Sequence, residues 1–362
     1  MSDRLDLAIW LESQELSKGG QHDNESSQTC EQSGIQVHLN FWKLPDYNAL
    51  DIGIEFPVLI NGKVNIFINT QNKIEAKDIT EILKIDTVIN TVFNEFISTT
   101  SCPVLTSCRK AERTLENSLN RSSEKSLDKS SKAFCLCCLS DPIHICKKNS
   151  GTLVTFSISN HRCDRRCGCS RQYIRLRLYG DGIDKIYIKD KIPASKFEYY
   201  TSKREFIDFR LNNARSLPQS LLEDGVSYPT LNKVRCFLMV ESAEDLSLYS
   251  KNYKKVRAIE KENWSLYIKA VIPYIQDKDE EDFFDRFTAK GRKKHRAILA
   301  YQWNADDPAI DFSLFAEIKR SEVSWRTFFF FLIMTTGFGL PPSILAPYVE
   351  TWVKALWGYL CR

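Results

Sequence analysis

Residues 35–69 read IQVHLNFWKLPDYNALDIGIEFPVLINGKVNIFIN, and apolar side chains recur at every second position. Successive side chains of a strand point to opposite faces, so Ile35, Val37, Leu39 and Phe41 share one face of an extended chain. DIGIEFPVLI continues as a second strand. Asn61-Gly62 before KVNIFIN is the dipeptide of a tight hairpin turn, which predicts that the second and third strands pair. Residues 77–97, KDITEILKIDTVINTVFNEFI, place apolar residues at helical spacing and predict a helix covering one face of that sheet. A small N-terminal sheet-plus-helix domain over residues 35–100 follows.

Before this domain, residues 4–16, RLDLAIWLESQEL, carry an almost unbroken apolar run and predict a short helix. Ser17 to Gly34 is polar and glycine-containing, so residues 1–34 read as helix and loop. After it, Lys110 to Ser131 holds six serines among many charges and few apolar residues. Residues 101–134 therefore read as a linker.

The following 135–320 region predicts a larger, mainly antiparallel β domain. Its expected strands are 152–159, 172–180, 184–190, 204–211, 231–240, 264–271 and 296–303, all rich in β-branched and aromatic residues. Gly180-Asp181-Gly182 is expected to join two of them as a tight hairpin. The fold class expected from these readings is α+β.

The chain then changes character. WRTFFFFLIMTTGFGLPPSILAPYVETWVKALWGYL spans 325–360, and 23 residues between Arg326 and Glu350 carry no charge. A hydrocarbon core needs about 20 apolar residues. Gly337, Gly339 and the Pro341-Pro342 pair interrupt the run, however, and the stretch from Trp325 to Leu340 would reach only about 24 Å as a helix. A kinked spanning helix, a re-entrant hairpin and two interfacial helices remain open, as do a buried core helix and an oligomer interface. We expect a C-terminal hydrophobic helical segment that associates with a bilayer, with Trp325, Phe328, Phe331, Trp352 and Trp357 as membrane-contacting residues and the aromatic stretch after Pro347 resembling an interfacial belt. Met1 to Leu16 lacks the long apolar run and small-residue cleavage site of a secretory signal, so the body is expected on the cytoplasmic side, anchored near the C-terminus.

A net charge of +4 is too small to announce nucleic acid or an acidic substrate. Local clusters carry more information. Of twelve cysteines, seven lie between Cys135 and Cys169. In a reducing compartment such a group suggests metal or simply reduced thiols. Cys135, Cys138, Cys163, Cys167 and Cys169 are the candidate ligands of a structural zinc, since zinc takes four thiolate or imidazole ligands, usually from two turns. The spacing of the second group departs from CxxC, and cysteine also packs as a small hydrophobe.

Arg175 and Arg177 alternate with Ile174, Leu176 and Leu178. They are expected to project from one solvated strand face and are the candidate anion-binding or ligand-binding pair, the alternative being an ordinary polar surface. Lys290 to Arg296 is a second basic run suited to anionic lipid. The chain contains no Walker loop, GxGxxG or GxSxG. Asp306, Asp307 and Asp311 followed by Glu317-Ile318-Lys319 superficially resemble the carboxylate and Glu-x-Lys set of restriction-type nucleases, which would imply Mg²⁺-dependent hydrolysis. Three such common residues also arise by chance.

The expected function is a membrane-associated, non-enzymatic binding or sensor protein for an unknown protein or small-molecule ligand. Its C-terminal segment would attach to the bilayer or disrupt it in a regulated way. A soluble nucleic-acid-binding protein with a structural zinc site is the alternative, and a Mg²⁺-dependent nuclease the third.

Overall fold

A computed structural model describes residues 5–13, 34–44, 47–57, 62–101, 108–113, 133–158, 169–184, 187–189, 202–223, 228–241, 244–271, 298–321, 329 and 332–333. Within them the chain is mostly strand, in two sheets, with four short helices.

The first sheet runs in the order β15 (Glu244–Tyr249), β18 (Phe312–Ser321), β13 (Ser202–Leu211), β1 (Leu5–Ser13), β4 (Gly62–Ile68), β10 (Gly151–Ile158) and β9 (His144–Lys148). A short β12 (Tyr187–Lys189) joins β13 on the edge that β1 also uses. The second sheet runs β16 (Lys255–Ala258), β17 (Ile298–Ala305), β14 (Leu231–Glu241), β2 (Ile35–Leu44), β3 (Tyr47–Pro57), β11 (Arg171–Tyr179), β8 (Ala133–Cys137), β7 (Cys108–Arg113) and β6 (Ile97–Ser101), with β5 (Glu75–Asp78) also on β11. Both sheets take strands from before and after residues 101–134.

The alternation in the sequence explains the packing. Val37, Leu39 and Phe41 of β2 and Leu50, Ile52, Ile54 and Phe56 of β3 meet Leu7 and Ile9 of β1 and Val64, Ile66 and Ile68 of β4 in one core between the sheets. Phe41 meets Phe209 edge-on across the two sheets, with ring centroids 5.0 Å apart. The opposite face of the second sheet is roofed by a 3-10 turn (Glu81–Lys84), helix α1 (Asp86–Phe93) and, later in the chain, helix α4 (Lys261–Val271). Two shorter helices, α2 (Asp181–Asp184) and α3 (Gln219–Glu223), complete the set; Leu217 and Leu221 cover Ala8, Trp10 and Phe67 on the outer face of the first sheet. The result is a β-sandwich with helices on one outer face and a small cap on the other.

Several expectations are corrected. The α+β assignment gives way to a mainly β fold. Residues 5–13 form a central strand, not a helix, paired with β13 and β4. Leu7 and Ile9 enter the main core while Ala8 and Trp10 are buried on the other side, so both faces are apolar and the alternation disappears. Strands β3 and β4 lie in different sheets, so they form no hairpin around Asn61-Gly62; β3 pairs instead with β2 and β11. Likewise β11 and β12 belong to different sheets, and the Gly180 region leads into α2 rather than a tight hairpin. Residues 264–271 are helical because Trp264, Tyr267 and Ile268, at i, i+3 and i+4, are the buried face of α4. The single helix expected over 77–97 is divided into β5, the 3-10 turn, α1 and the start of β6.

Among the described residues the expected long C-terminal hydrophobic helical segment is not seen. Among the described residues no helix is long and apolar enough to cross a membrane. Of residues 325–360, only Phe329, Leu332 and Ile333 are described; Trp325, Phe328, Phe331, Trp352 and Trp357 lie outside the described residues.

The β6 edge of the second sheet is closed by side chains of α1. Ile97 N donates to Asn90 Oδ1 at 2.5 Å, and Thr99 N donates to Asp86 Oδ1 at 3.1 Å. A bare edge would offer these donors to another strand. Combining Asp86→Ala with Asn90→Ala should therefore produce concentration-dependent association in sedimentation velocity; variants sedimenting like the parent over the same range would show that these contacts do not guard the edge.

Candidate functional site

The densest polar cluster is built where β3 and β11 run side by side beneath α4. Leu50, Ile52, Ile54 and Phe56 face the main core, which turns Asp51, Gly53 and Glu55 toward the helices. The pairing register sets Arg177 opposite Asp51 and Arg175 opposite Gly53. Arg177 Nε and Nη2 donate to the two oxygens of Asp51 at 2.5 and 2.8 Å. Trp42 Nε1 and Tyr267 Oη add bonds of 2.7 and 2.6 Å to Oδ2. Asp51 and Arg175 are 0% exposed and Arg177 is 1%.

Arg175 sits one step further along the strand. Its Nε donates to Tyr267 Oη at 2.8 Å, its Nη1 to Tyr173 Oη at 3.0 Å, and its Nη2 lies 3.7 Å from Asp51 Oδ2. The Arg177 guanidinium also stacks near the Trp42 and Tyr267 rings, 5.3 and 5.5 Å from their centroids. Gly53 makes room for this layer: a Cβ there would come within 1.9 Å of Tyr173 Oη. Burial alone would raise the Asp51 carboxyl, but Arg177, with Arg175 and Tyr267, outweighs it and holds the group below the usual carboxylate range.

A second cluster continues along β3. Glu55, fully buried, receives Arg171 Nε at 2.7 Å and Arg113 Nη2 at 2.5 Å. Arg113 also faces Glu95 at 3.3 Å, and Glu95 pairs with Arg235. His38 lies between the two clusters, its Nδ1 3.3 Å from Tyr173 Oη. Burial first, then the Arg235, Arg175 and Arg113 charges, holds His38 neutral well below the ordinary histidine range.

The expected solvated arginine face is thus a buried one. Arg175 and Arg177 alternate as read, but α4 covers them, so in this structure a phosphate chain cannot reach them. The sequence reading missed Asp51 and Tyr267 as their partners. The visible signal was a polar series, Asp51, Gly53 and Glu55, in an otherwise apolar strand matching the Arg175 and Arg177 series in register.

Among the candidate zinc ligands, Cys135 and Cys169 are buried beside the main core and Cys138 is half-buried, while Cys163 and Cys167 lie outside the described residues. Among the described residues, no three His, Cys, Asp or Glu side chains gather in a metal-binding arrangement. Cys138 Sγ instead donates to Glu81 Oε2 at 2.9 Å, and burial together with this carboxylate pushes its thiol up to about 12. Asp306 lies 3.4 and 3.5 Å from Lys233 and Lys254, Asp311 accepts a bond from Asn213, and Glu317 faces Arg204 at 3.6 Å. The structure does not bring these carboxylates together around one position.

A surface groove of about 650 Å³ runs past β5, the 3-10 turn and Arg109. Its charges are already engaged: Asp78 accepts from Thr80 and Leu139, Glu81 from Lys84, Asp86 from Thr99, and Arg109 donates to Lys84 O. No known protein family matches the chain, and no curated protein sequence matches it either.

Where β2, β13, β14, β15 and β18 meet, Lys43 pairs with Glu205 at 3.0 Å, while Arg320 lies 3.9 Å from Glu241 and 3.8 Å from Glu244. Glu244 is 7% exposed. Burial, augmented by Glu205 and Glu241 against the pull of Lys43 and Arg320, raises its carboxyl from 4.5 to about 7.

Two predictions follow from these clusters. Tyr267→Phe removes a donor to Asp51 and an acceptor for Arg175, and should cost about 1–3 kcal/mol in urea unfolding; no loss would mean the hydroxyl is dispensable. A carboxyl held high in the folded state favours folding while protonated and loses that advantage as pH rises from the unfolded value to the folded one. Glu244→Gln should therefore gain stability over the parent between pH 4.5 and 8, by at most about 3 kcal/mol. A pH-independent difference in thermal midpoint would contradict this assignment.

Proposed function

We propose that the protein is a non-enzymatic binding protein whose β-sandwich body is held against a bilayer through residues 325–360. The carrying observation is the exposure of the described part of that stretch. Phe329, Leu332 and Ile333 are 42, 37 and 67% exposed. They lie within a run of 23 uncharged residues. Exposed apolar patches mark surfaces that meet lipid or another protein, and aromatic residues with Glu350, Lys354 and Arg362 at the far end of the stretch suit an interface.

Two further features support the binding role over a catalytic one. Asp51, Tyr267, Tyr173 and His38, all displaced from their ordinary titration ranges, are buried in one hydrogen-bonded cluster with Arg175 and Arg177 rather than lining a cleft. The nucleic-acid alternative loses its intended surface with the burial of Arg175 and Arg177. On this reading the body remains on the cytoplasmic side, and regulated disruption of the bilayer is a further property of the same segment.

The test is sedimentation of the full-length protein with liposomes of neutral and anionic lipid, alongside Leu332→Glu/Ile333→Glu. Both positions are exposed, so the fold should tolerate the charges. Each charge placed in hydrocarbon costs about 2–3 kcal/mol or more, so the variant should lose at least tenfold in lipid partitioning. Equal partitioning, or a parent that never sediments with lipid, would reject membrane attachment. Dye release by the parent but not the variant would assign disruption as well as attachment.

A further inference from the structure

The chain passes from β15, the last strand of the first sheet, to β16, the last strand of the second, through residues 250–254. From Ser250 to Val256 it reads SKNYKKV, three lysines around one tyrosine, and all seven residues are exposed. Backbone and side chains hold this loop at both ends. Ser250 N donates to Phe315 O at 2.9 Å, and Phe315 N donates back to Ser250 Oγ at 2.9 Å. Trp303 Nε1 donates to Lys251 O at 2.7 Å, and Lys254 N donates to Gln302 O at 2.6 Å. Tyr253 packs against Tyr249 and Tyr301, with ring centroids 5.4 Å from each, yet remains 36% exposed.

We propose that this loop is a second contact with the bilayer, one that selects anionic lipid headgroups. The proposal rests on the membrane reading above and adds to it the charge of the lipid and the side of the body turned toward it. Charge carries the first part. Lys251, Lys254 and Lys255 are joined by Lys233, which shares Asp306 with Lys254 at 3.4 and 3.5 Å. Even with Asp307 counted beside Asp306, four lysines stand against two carboxylates. Each lysine brought close to an anionic leaflet is worth about a fivefold gain in binding.

The side chains between the lysines suit the same boundary. A tyrosine ring turns an apolar face to acyl chains and its hydroxyl to headgroups, and Val256, 47% exposed, adds further apolar surface. Lysines on an edge strand also discourage strand addition. That role does not account for Lys251 and Lys254, which precede β16, or for a tyrosine held in place among them. Position carries the second part. The loop lies beside Phe315, near the start of β18, and the chain runs into residues 325–360 after the other end of that strand, Ser321. About 20 Å of strand separates the two. Contact at both ends lays β18 along the bilayer instead of upright on it.

The full-length protein and Lys251→Gln/Lys254→Gln/Lys255→Gln would be sedimented with phosphatidylcholine vesicles and with vesicles that also carry phosphatidylserine. The parent should bind the anionic vesicles more tightly. The variant should lose about a hundredfold there, bind neutral vesicles like the parent, and melt like the parent because the substituted positions are exposed. If the triple variant misfolds, Lys251→Gln and Lys255→Gln taken singly should each lose about fivefold. An anionic preference that survives these changes, or that disappears only when Arg292, Lys293 and Lys294 are replaced, would overturn the proposal. Equal binding of the parent to both vesicles would overturn it too and leave attachment through 325–360 standing, whereas a parent that binds neither would reject both. Variant-sensitive binding of a single-stranded oligonucleotide, without selection of anionic lipid, would assign the loop to nucleic acid instead.

Discussion

A carboxylate with no access to water, Asp51, is the constraint around which the second sheet and its roof are arranged. It sits on β3 against an arginine on β11 and accepts further bonds from a tryptophan on β2 and a tyrosine on α4. Burying one charge is expensive, and removing a partner from a buried pair costs about 3–5 kcal/mol because the other is left uncompensated. The cluster is tolerable only with β2, β3, β11 and α4 all in place. It therefore links strand order to helix docking more tightly than apolar packing would. Arg175 adds a second guanidinium with no carboxylate of its own, and its bonds to Tyr173 and Tyr267 spread that charge over two phenol groups.

The rest of the architecture supplies the dry environment this cluster requires. On one side lies the core between the two sheets, where Phe41, Ile52 and Ile54 meet the first sheet. On the other, Trp264 and Tyr267 pack on Trp42 with ring centroids 5.6 and 6.1 Å apart. Aromatic side chains suit such a boundary, since an indole or phenol offers both a broad apolar face and one donor. The low dielectric strengthens each bond to Asp51 and makes any unmet one costly. Gly53, with no side chain, leaves room over β3 for the Tyr173 hydroxyl, which accepts a bond from Arg175 two residues along β11.

The physical basis of the legible parts is clear. Strands with one apolar and one polar face announce themselves: Val37, Leu39 and Phe41, or Ile174, Leu176 and Leu178, predict β2 and β11 directly. Strand β1 was unreadable as a strand because both its faces are apolar, a pattern that local periodicity cannot separate from a buried helix. In α4 the aromatic and β-branched content favoured a strand, although Trp264, Tyr267 and Ile268 have helical spacing. The Asn61-Gly62 signal is local, whereas the choice between pairing within a sheet and crossing to the opposite one is made by long-range contacts of β4 with β1 and β10. The charge on Arg175 and Arg177 was visible, but solvent or a roof above them depended on how 261–271 was read. One error in a helix thus moved a candidate binding surface from the interior to the outside.

That displacement also narrows where a partner can act. Polar groups used to neutralise one another inside the sandwich are not available for recognition, because any ligand would first have to break a paired buried charge. Recognition must then use what the fold leaves accessible: exposed edges such as β9, the groove beside the 3-10 turn, and the apolar side chains at Phe329, Leu332 and Ile333. Of these, the last departs most from what a soluble surface requires. The groove has its charges met by neighbouring groups, and β9 carries His144, Lys147 and Lys148, which discourage strand addition. The side chains of Phe329, Leu332 and Ile333 are exposed within a long uncharged stretch, and that combination of exposure and sequence is why attachment to an apolar phase is the reading on which the functional proposal rests.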